Sequence, residues 1–132
     1  MFEREKICNI KHKIEGIENI PDETVLITSK HQSTFETLAL YYYLKDCFFV
    51  HKKELFLIPI FGQYLYKSNM VSIDRDGGTK TMRKMLEEVR LKLESGSSII
   101  IFPEGTRKIP GTKPDYKTGF IGIYKHTKKK IL

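Results

Sequence analysis

The sequence predicts an α/β fold in which a central sheet, largely parallel or mixed, is flanked by helices. Three observations carry that reading. Short apolar runs rich in β-branched residues, TVLIT (24–28), CFFVHKK (47–53) and SSIIIF (97–102), have the length and continuity of strands buried on both faces. Between them, GTKTMRKMLEEVRLKLESG carries Met82, Met85, Leu86, Val89 and Leu93 at spacings of three and four, one apolar stripe of an amphipathic helix. Polar clusters follow three of the strand candidates, at the carboxyl ends where parallel α/β sheets bind ligands.

The elements follow in order. KICNIKHKIEG (6–16) alternates loosely and reads as a first, edge-like strand, and ENIPDE (18–23) as a turn before the strand 24–28. Ser33 or Thr34 then caps a helix through FETLALYYYL, with Glu36 in its first turn, where the helix dipole favours an anion. After the strand 47–53, ELFLIPIFGQYLYK (54–67) is helical in pattern but must kink or restart around Pro59. NMVSIDR (69–75) is a short strand ending in charge. The amphipathic helix has Thr79 as its candidate cap and Gly96 as its stop. Strand 97–102 leads into a polar loop, PEGTRK, and a weaker helical segment runs from Lys117 to about Thr127. With no internal repeat, the elements make one domain over residues 1–132.

Composition narrows the class. Apolar residues at 40% and charged residues at 30% are those of a folded globular domain, and the 132 residues suffice to bury a core. A net charge of +7 favours an anionic partner: a membrane surface, a nucleic acid or a phosphorylated substrate. Cys8 and Cys47 are too few for a disulfide framework, and the four histidines show no ligand spacing with them, so no metal is expected. No signal peptide is legible at MFEREKICNIK. LFLIPIFGQYLY (55–66) is too short to cross a bilayer, which takes about twenty residues. Flanked by His51, Lys52, Lys53 and Lys67, it is either an interfacial element or ordinary core.

The three clusters hold the candidate chemistry. In SKHQSTFETLAL, His31 and Glu36 are five residues apart, about 140° around a helix, so they meet only if a turn places His31 ahead of the helix and Glu36 inside it. The alternative is a loop histidine beside a dipole-matched helix-start residue. FPEGTR (102–107) leaves a buried strand through a proline and turns at Gly105, projecting Glu104 and Arg107, with the Thr106 hydroxyl between them. The alternative there is a β-turn whose Glu104 and Arg107 pair with each other. Arg75, in IDRDGG, is either a surface residue paired with Asp74 or Asp76, or half of a two-arginine clamp for a phosphate.

HQSTFE, SIDR and FPEGTR, in this order and at these distances, resemble the first three motif blocks of the 1-acyl-sn-glycerol-3-phosphate acyltransferases, the lysophosphatidate acyltransferases of phospholipid synthesis. The likeness runs from about Gly16 to Tyr124, with blocks at 31–36, 72–75 and 102–107. It implies transfer of a fatty acyl group from an acyl thioester, of coenzyme A or acyl carrier protein, to the sn-2 hydroxyl of 1-acyl-sn-glycerol 3-phosphate, without a bound cofactor. His31 matches the catalytic histidine and Glu36 its acid. Arg75 matches the second block, and Glu104, Gly105, Thr106 and Arg107 the third, which binds the glycerol phosphate. A histidine held in one tautomer by a carboxylate supplies the general base such a reaction needs, and the acceptor hydroxyl itself is the nucleophile.

The chain departs from the pattern in three ways. Glu36 stands where the family usually has Asp. Apolar segments that many members carry at the start are not seen, and the chain stops at KHTKKKIL, where similar proteins continue into a further apolar strand. The expectation is therefore a domain incomplete at its C-terminus, with an unpaired sheet edge and uncovered apolar surface. It is expected to sit peripherally on the anionic cytoplasmic face of the inner membrane. Two other classes remain beside the enzyme: a catalytically inactive lysophospholipid-binding remnant of the same fold, and a nucleic-acid binder. No aromatic–basic motif supports the latter, so nucleic acid is not expected as a partner.

Overall fold

A computed structural model of the chain describes residues 11–132. Four parallel strands form the sheet: β1 (Leu26–Thr28), β2 (Cys47–Lys52), β3 (Val71–Ile73) and β4 (Ser98–Ile101), in the spatial order β1-β4-β2-β3. The helices are α1 (Thr34–Tyr43), α2 (Phe61–Lys67), α3 (Gly78–Glu94) and α4 (Thr118–Thr127). Register pairs Ile27 with Ile100, Phe48 with Ile99 and His51 with Ser72.

Apolar runs became central strands because both sheet faces are covered. One face sends Leu26, Phe48, Val71 and Ile99 into a core with Met85, Val89 and Leu93 of α3 and Ile123 of α4. The other sends Val25, Ile27, Cys47, Phe49 and Ile100 toward Leu40 and Tyr41 of α1. Successive strand residues point to opposite faces, so a strand buried on both sides must be apolar throughout.

Several expected boundaries moved. Residues 6–10 of the first strand candidate lie outside the described residues, and 11–16 are irregular, so no strand forms there among the described residues. The segment 54–67 does restart at Pro59: a 3-10 turn, Lys53–Leu57, precedes α2. Helix α3 starts after Gly77 rather than at a Thr79 cap, because Gly78 adopts φ 66° and turns the chain into the helix early. Gly96, at φ 101°, ends it as expected.

The sheet edge beside β1 is covered by the end of the described chain. Lys130, Ile131 and Leu132 run parallel to β1, with Leu26 N–H donating to Lys130 O (2.9 Å), Leu132 N–H to Leu26 O (2.9 Å) and Thr28 N–H to Leu132 O (2.9 Å). That edge is paired, not open. The lysine-rich tail reads as solvated from composition, yet its last two residues are apolar and lie within reach of an open ladder.

Strand order is what builds the site. Strand β4 returns between β1 and β2, so the loop after β1 and the loop after β4 leave the sheet side by side. Such a point of reversed order opens a crevice at the carboxyl ends of the strands.

Candidate active site

Ser33 is the N-cap of α1: its hydroxyl accepts from Phe35 N–H (3.0 Å), while Glu36 Oε2 accepts from Ser33 N–H (2.8 Å) and from the Ser33 hydroxyl. This reciprocal cap satisfies donors that the helix start would otherwise leave unpaired. Glu36 does more than cap. Its Oε1 also receives Gln32 N–H (2.9 Å) and lies 2.8 Å from His31 Nδ1. The two readings of HQSTFE are therefore both true: the capping carboxylate is the histidine's partner.

Burial alone would raise the Glu36 carboxyl pKa, but hydrogen bonds from the Ser33 side chain and backbone, from His31 and from Gln32 N–H outweigh it and bring the value down to about 2. An ionised carboxylate can only accept, so His31 Nδ1 carries the proton and Nε2 keeps a free lone pair. That tautomer is the one a general base requires.

Two contacts from the neighbouring loop hold His31 from other directions. Its ring stacks on Phe102, with centroids 4.2 Å apart and planes at 23°, and Phe102 in turn stacks on Phe49 at 5.8 Å. Its carbonyl accepts from Lys108 N–H at 2.8 Å. Sequence reasoning missed both partners, since a phenylalanine before PEG reads as the end of a strand, and Lys108 acts through its backbone.

The other motif residues divide. Arg75 reaches the third block: its Nη2 donates to Gly105 O at 3.4 Å, and it pairs with neither Asp74 nor Asp76. Asp74 is instead bound by Lys53, at the carboxyl end of β2, a cation the motif reading passed over. Gly105 adopts φ 66°, and a Cβ there would lie 3.3 Å from Lys117 Cγ and 3.9 Å from Arg75 Nη2. Thr106 and Arg107 are exposed, and Arg107 makes no ion pair with Glu104 or any other described residue.

Glu104 corrects the expectation that it projects from the turn. It is 2% exposed, and its Oε2 finds no partner among the described residues. The structure thus brings together His31, Glu36, Arg75, Gly105 and the backbone of Lys108, and leaves Thr106 and Arg107 at the rim.

Among the described residues, one group of acidic side chains has ligand spacing. Glu54, Asp74 and Asp76 bring ligand oxygens within 4.8 Å of one another, but they form an exposed acidic cluster whose Asp74 is already neutralised by Lys53. The Cys47 thiol is no nucleophile for this site either. It lies buried at the opposite end of the sheet, and burial, with the Asp46 charge beside it, pushes its pKa up to about 11. A groove of about 700 Å³ opens at that same end, lined by Tyr41, Cys47, Asn69 and Lys92. It contains none of the motif residues.

Comparison with known proteins identifies the family. The acyltransferase family model matches residues 11–132. Over 113 residues the chain is 34% identical to a 1-acyl-sn-glycerol-3-phosphate acyltransferase of Pseudomonas aeruginosa, covering 86% of this chain and 44% of that protein. A protein of the same name from Helicobacter pylori is 34% identical over 101 residues, covering 76% of this chain and 42% of its own length. The crystal structure of the 1-acyl-sn-glycerophosphate (LPA) acyltransferase PlsC from Thermotoga maritima superposes with a TM-score of 0.70 at 30% identity, over 89% of this chain and 46% of that one. The chain thus spans less than half the length of these relatives.

Proposed function

Because the chain belongs to the acyltransferase family, we propose that it transfers a fatty acyl group from an acyl thioester to the sn-2 hydroxyl of 1-acyl-sn-glycerol 3-phosphate, giving phosphatidate. The observation that carries the mechanism is the 2.8 Å contact between His31 Nδ1 and Glu36 Oε1, which frees Nε2 as a base.

In that reaction His31 Nε2 takes the proton of the acceptor hydroxyl as its oxygen attacks the thioester carbonyl. The tetrahedral intermediate collapses, the carbon–sulfur bond breaks, and the imidazolium returns the proton to the departing thiolate. Glu36 stabilises the imidazolium between the two steps. Arg75 and Arg107 hold the acceptor phosphate, each through a planar fork of donors, and Thr106 adds a hydroxyl. Glu104 also belongs to the acceptor's binding. As a buried carboxylate with an unsatisfied oxygen it suits a glycerol hydroxyl. Holding the acceptor from both ends converts a bimolecular encounter into an oriented one.

The donor is a thioester of coenzyme A or of acyl carrier protein, and the place of work is an anionic membrane surface on the cytoplasmic side of the inner membrane. No described helix is long and apolar enough to cross a membrane, which accords with peripheral attachment.

The test is an acyl-transfer assay with lysophosphatidate and each donor in turn, comparing the chain with His31→Ala. Phosphatidate formed by the chain and not by the variant supports the proposal. Lysophosphatidate binding with no transfer by either would return the reading to an inactive, binding-only relative.

A further inference from the structure

The segment between β2 and α2 displays a run of aliphatic side chains that the fold holds outward at a cost. Leu57 and Ile60 are 83% and 82% exposed, Ile58 is 45% exposed, and Tyr66 on the following helix is 81% exposed. Ile60 adopts φ 67°, ψ −54°, and Phe61 N–H donates to Pro59 O across it at 2.7 Å. That is the positive-φ γ-turn, a strained conformation, here imposed on a β-branched residue.

Nothing in the core requires it, because the Ile60 side chain is not in the core. The same segment is closely packed beneath. Gly62 N–H donates to Ile58 O (2.7 Å), and a Cβ on Gly62 would fall 2.1 Å from Phe56 O. A rigid turn that presents Leu57, Ile58 and Ile60 to solvent is the kind of local strain found at working surfaces.

We infer that this turn is a membrane-insertion element, docking the chain on an anionic lipid bilayer with the crevice facing the lipid. The inference rests on the acyltransferase reading only in supposing that the acceptor is a lipid. Three features favour a bilayer as the occupant. Exposed Lys52 and Lys67 flank the apolar turn, as they flank interfacial elements at an anionic surface. Tyr64 and Tyr66 sit beside it, 45% and 81% exposed, and tyrosine suits the boundary between headgroups and water. The turn also starts where β2 ends, at the carboxyl end of the sheet: Lys53, its first residue, binds Asp74, next to Arg75. A lipid acceptor drawn from the bilayer would therefore enter the crevice without crossing water.

The experiment is co-sedimentation of the chain with phosphatidylcholine vesicles, with and without phosphatidylglycerol, at low and high salt, beside a thermal melt and size-exclusion chromatography. Neither vesicle contains lysophosphatidate, so the result is independent of acyl transfer. The variants are Leu57→Ser, Ile60→Gly and, as a control on α3, Leu91→Ser, which is 53% exposed in the parent residue. We expect salt-sensitive binding that prefers phosphatidylglycerol and falls about tenfold with Leu57→Ser or Ile60→Gly. Leu91→Ser should bind as the parent does. Ile60→Gly should melt no earlier than the parent, because glycine relieves the turn.

Four results would each overturn the inference. One is a parent chain that ignores both vesicles, and another is equal weakening of binding by all three variants. A loss of stability together with binding in Ile60→Gly would mean that the turn is covered by another part of the protein. A dimer that only Leu57→Ser and Ile60→Gly dissociate would make the surface a contact between copies of the chain.

Discussion

His31 and Phe102, 71 positions apart in the chain, stack ring on ring with centroids 4.2 Å apart. Because β1 and β4 are neighbours, their exit loops leave the sheet together, and the phenylalanine closing β4 becomes the floor beneath the histidine following β1. Glu36 fixes the tilt of the ring through one nitrogen, and Phe102 supports its face. The His31 ring is positioned by two loops at once.

Phe102 is accordingly a positioning residue. Phe102→Leu should lower kcat about ten- to a hundredfold with little change in the KM of either substrate, because a small displacement of a reacting group is costly. Phe102→Tyr, which keeps the ring, should retain most of the rate. Steady-state kinetics of the two variants, with melts to confirm folding, make the comparison. Equal losses for Leu and Tyr would remove the role given to the ring face.

His31→Ala should reduce acyl transfer by ~10²- to 10⁴-fold, the usual contribution of a general base. Glu36→Gln should cost less, since the amide oxygen can still accept from Nδ1–H while no longer stabilising imidazolium. An unchanged rate for His31→Ala would refute the mechanism.

Arg75 and Arg107 should affect the acceptor rather than the donor. Replacing either by Ala should raise the KM for lysophosphatidate, and Lys should restore only part of the loss because it lacks the two-pronged donor. Arg75→Ala should be the more disruptive of the two, since it also abandons the Gly105 carbonyl. Varying acceptor and donor separately decides this; a defect in donor use alone would place the phosphate elsewhere.

Acid should loosen the His31 loop. The Glu36 carboxyl is held down at about 2 in the folded chain, against roughly 4.3 when unfolded. A carboxyl depressed on folding contributes stability that is complete above its unfolded value and is lost as pH falls toward its folded one. The stability difference between the parent and Glu36→Gln should therefore be largest above about pH 5 and shrink on going to pH 2. Chemical denaturation across that range measures it, and a difference independent of pH would contradict the depressed pKa.

Gly62→Ala should destabilise the fold by about 1–3 kcal/mol, the usual cost of overpacking. The added methyl would meet the Phe56 carbonyl oxygen at 2.1 Å, and that oxygen is backbone, unable to swing aside. Thermal and denaturant melts test it, and a neutral substitution would mean that the turn before α2 is looser than its geometry indicates.

The local signals of this chain were legible because local physics produces them. Continuous apolar runs had to be strands covered on both faces, and the stripe from Met82 to Leu93 had to be a helix lying on a sheet. Ser33 or Thr34 ahead of Glu36 marked a helix start, and the fold made Ser33 the cap. Even the break at Pro59 follows from a residue with no N–H to give. What one-dimensional reading could not decide is set by strand order. Whether Glu104 projects or is buried, whether Arg75 answers to Asp74 or to Gly105, and what lies beneath His31 all depend on β4 returning between β1 and β2. The fate of the KKIL tail was decided in the same way, by an unpaired ladder on β1 that tertiary folding brought alongside it. Leu57, Ile58 and Ile60 make the point from the other side: their composition suits core and surface equally, and in the fold they lie exposed around the positive-φ turn at Ile60. Propensity and patterning act over a few residues, whereas these choices rest on contacts between segments tens of residues apart, which exist only once the sheet has closed.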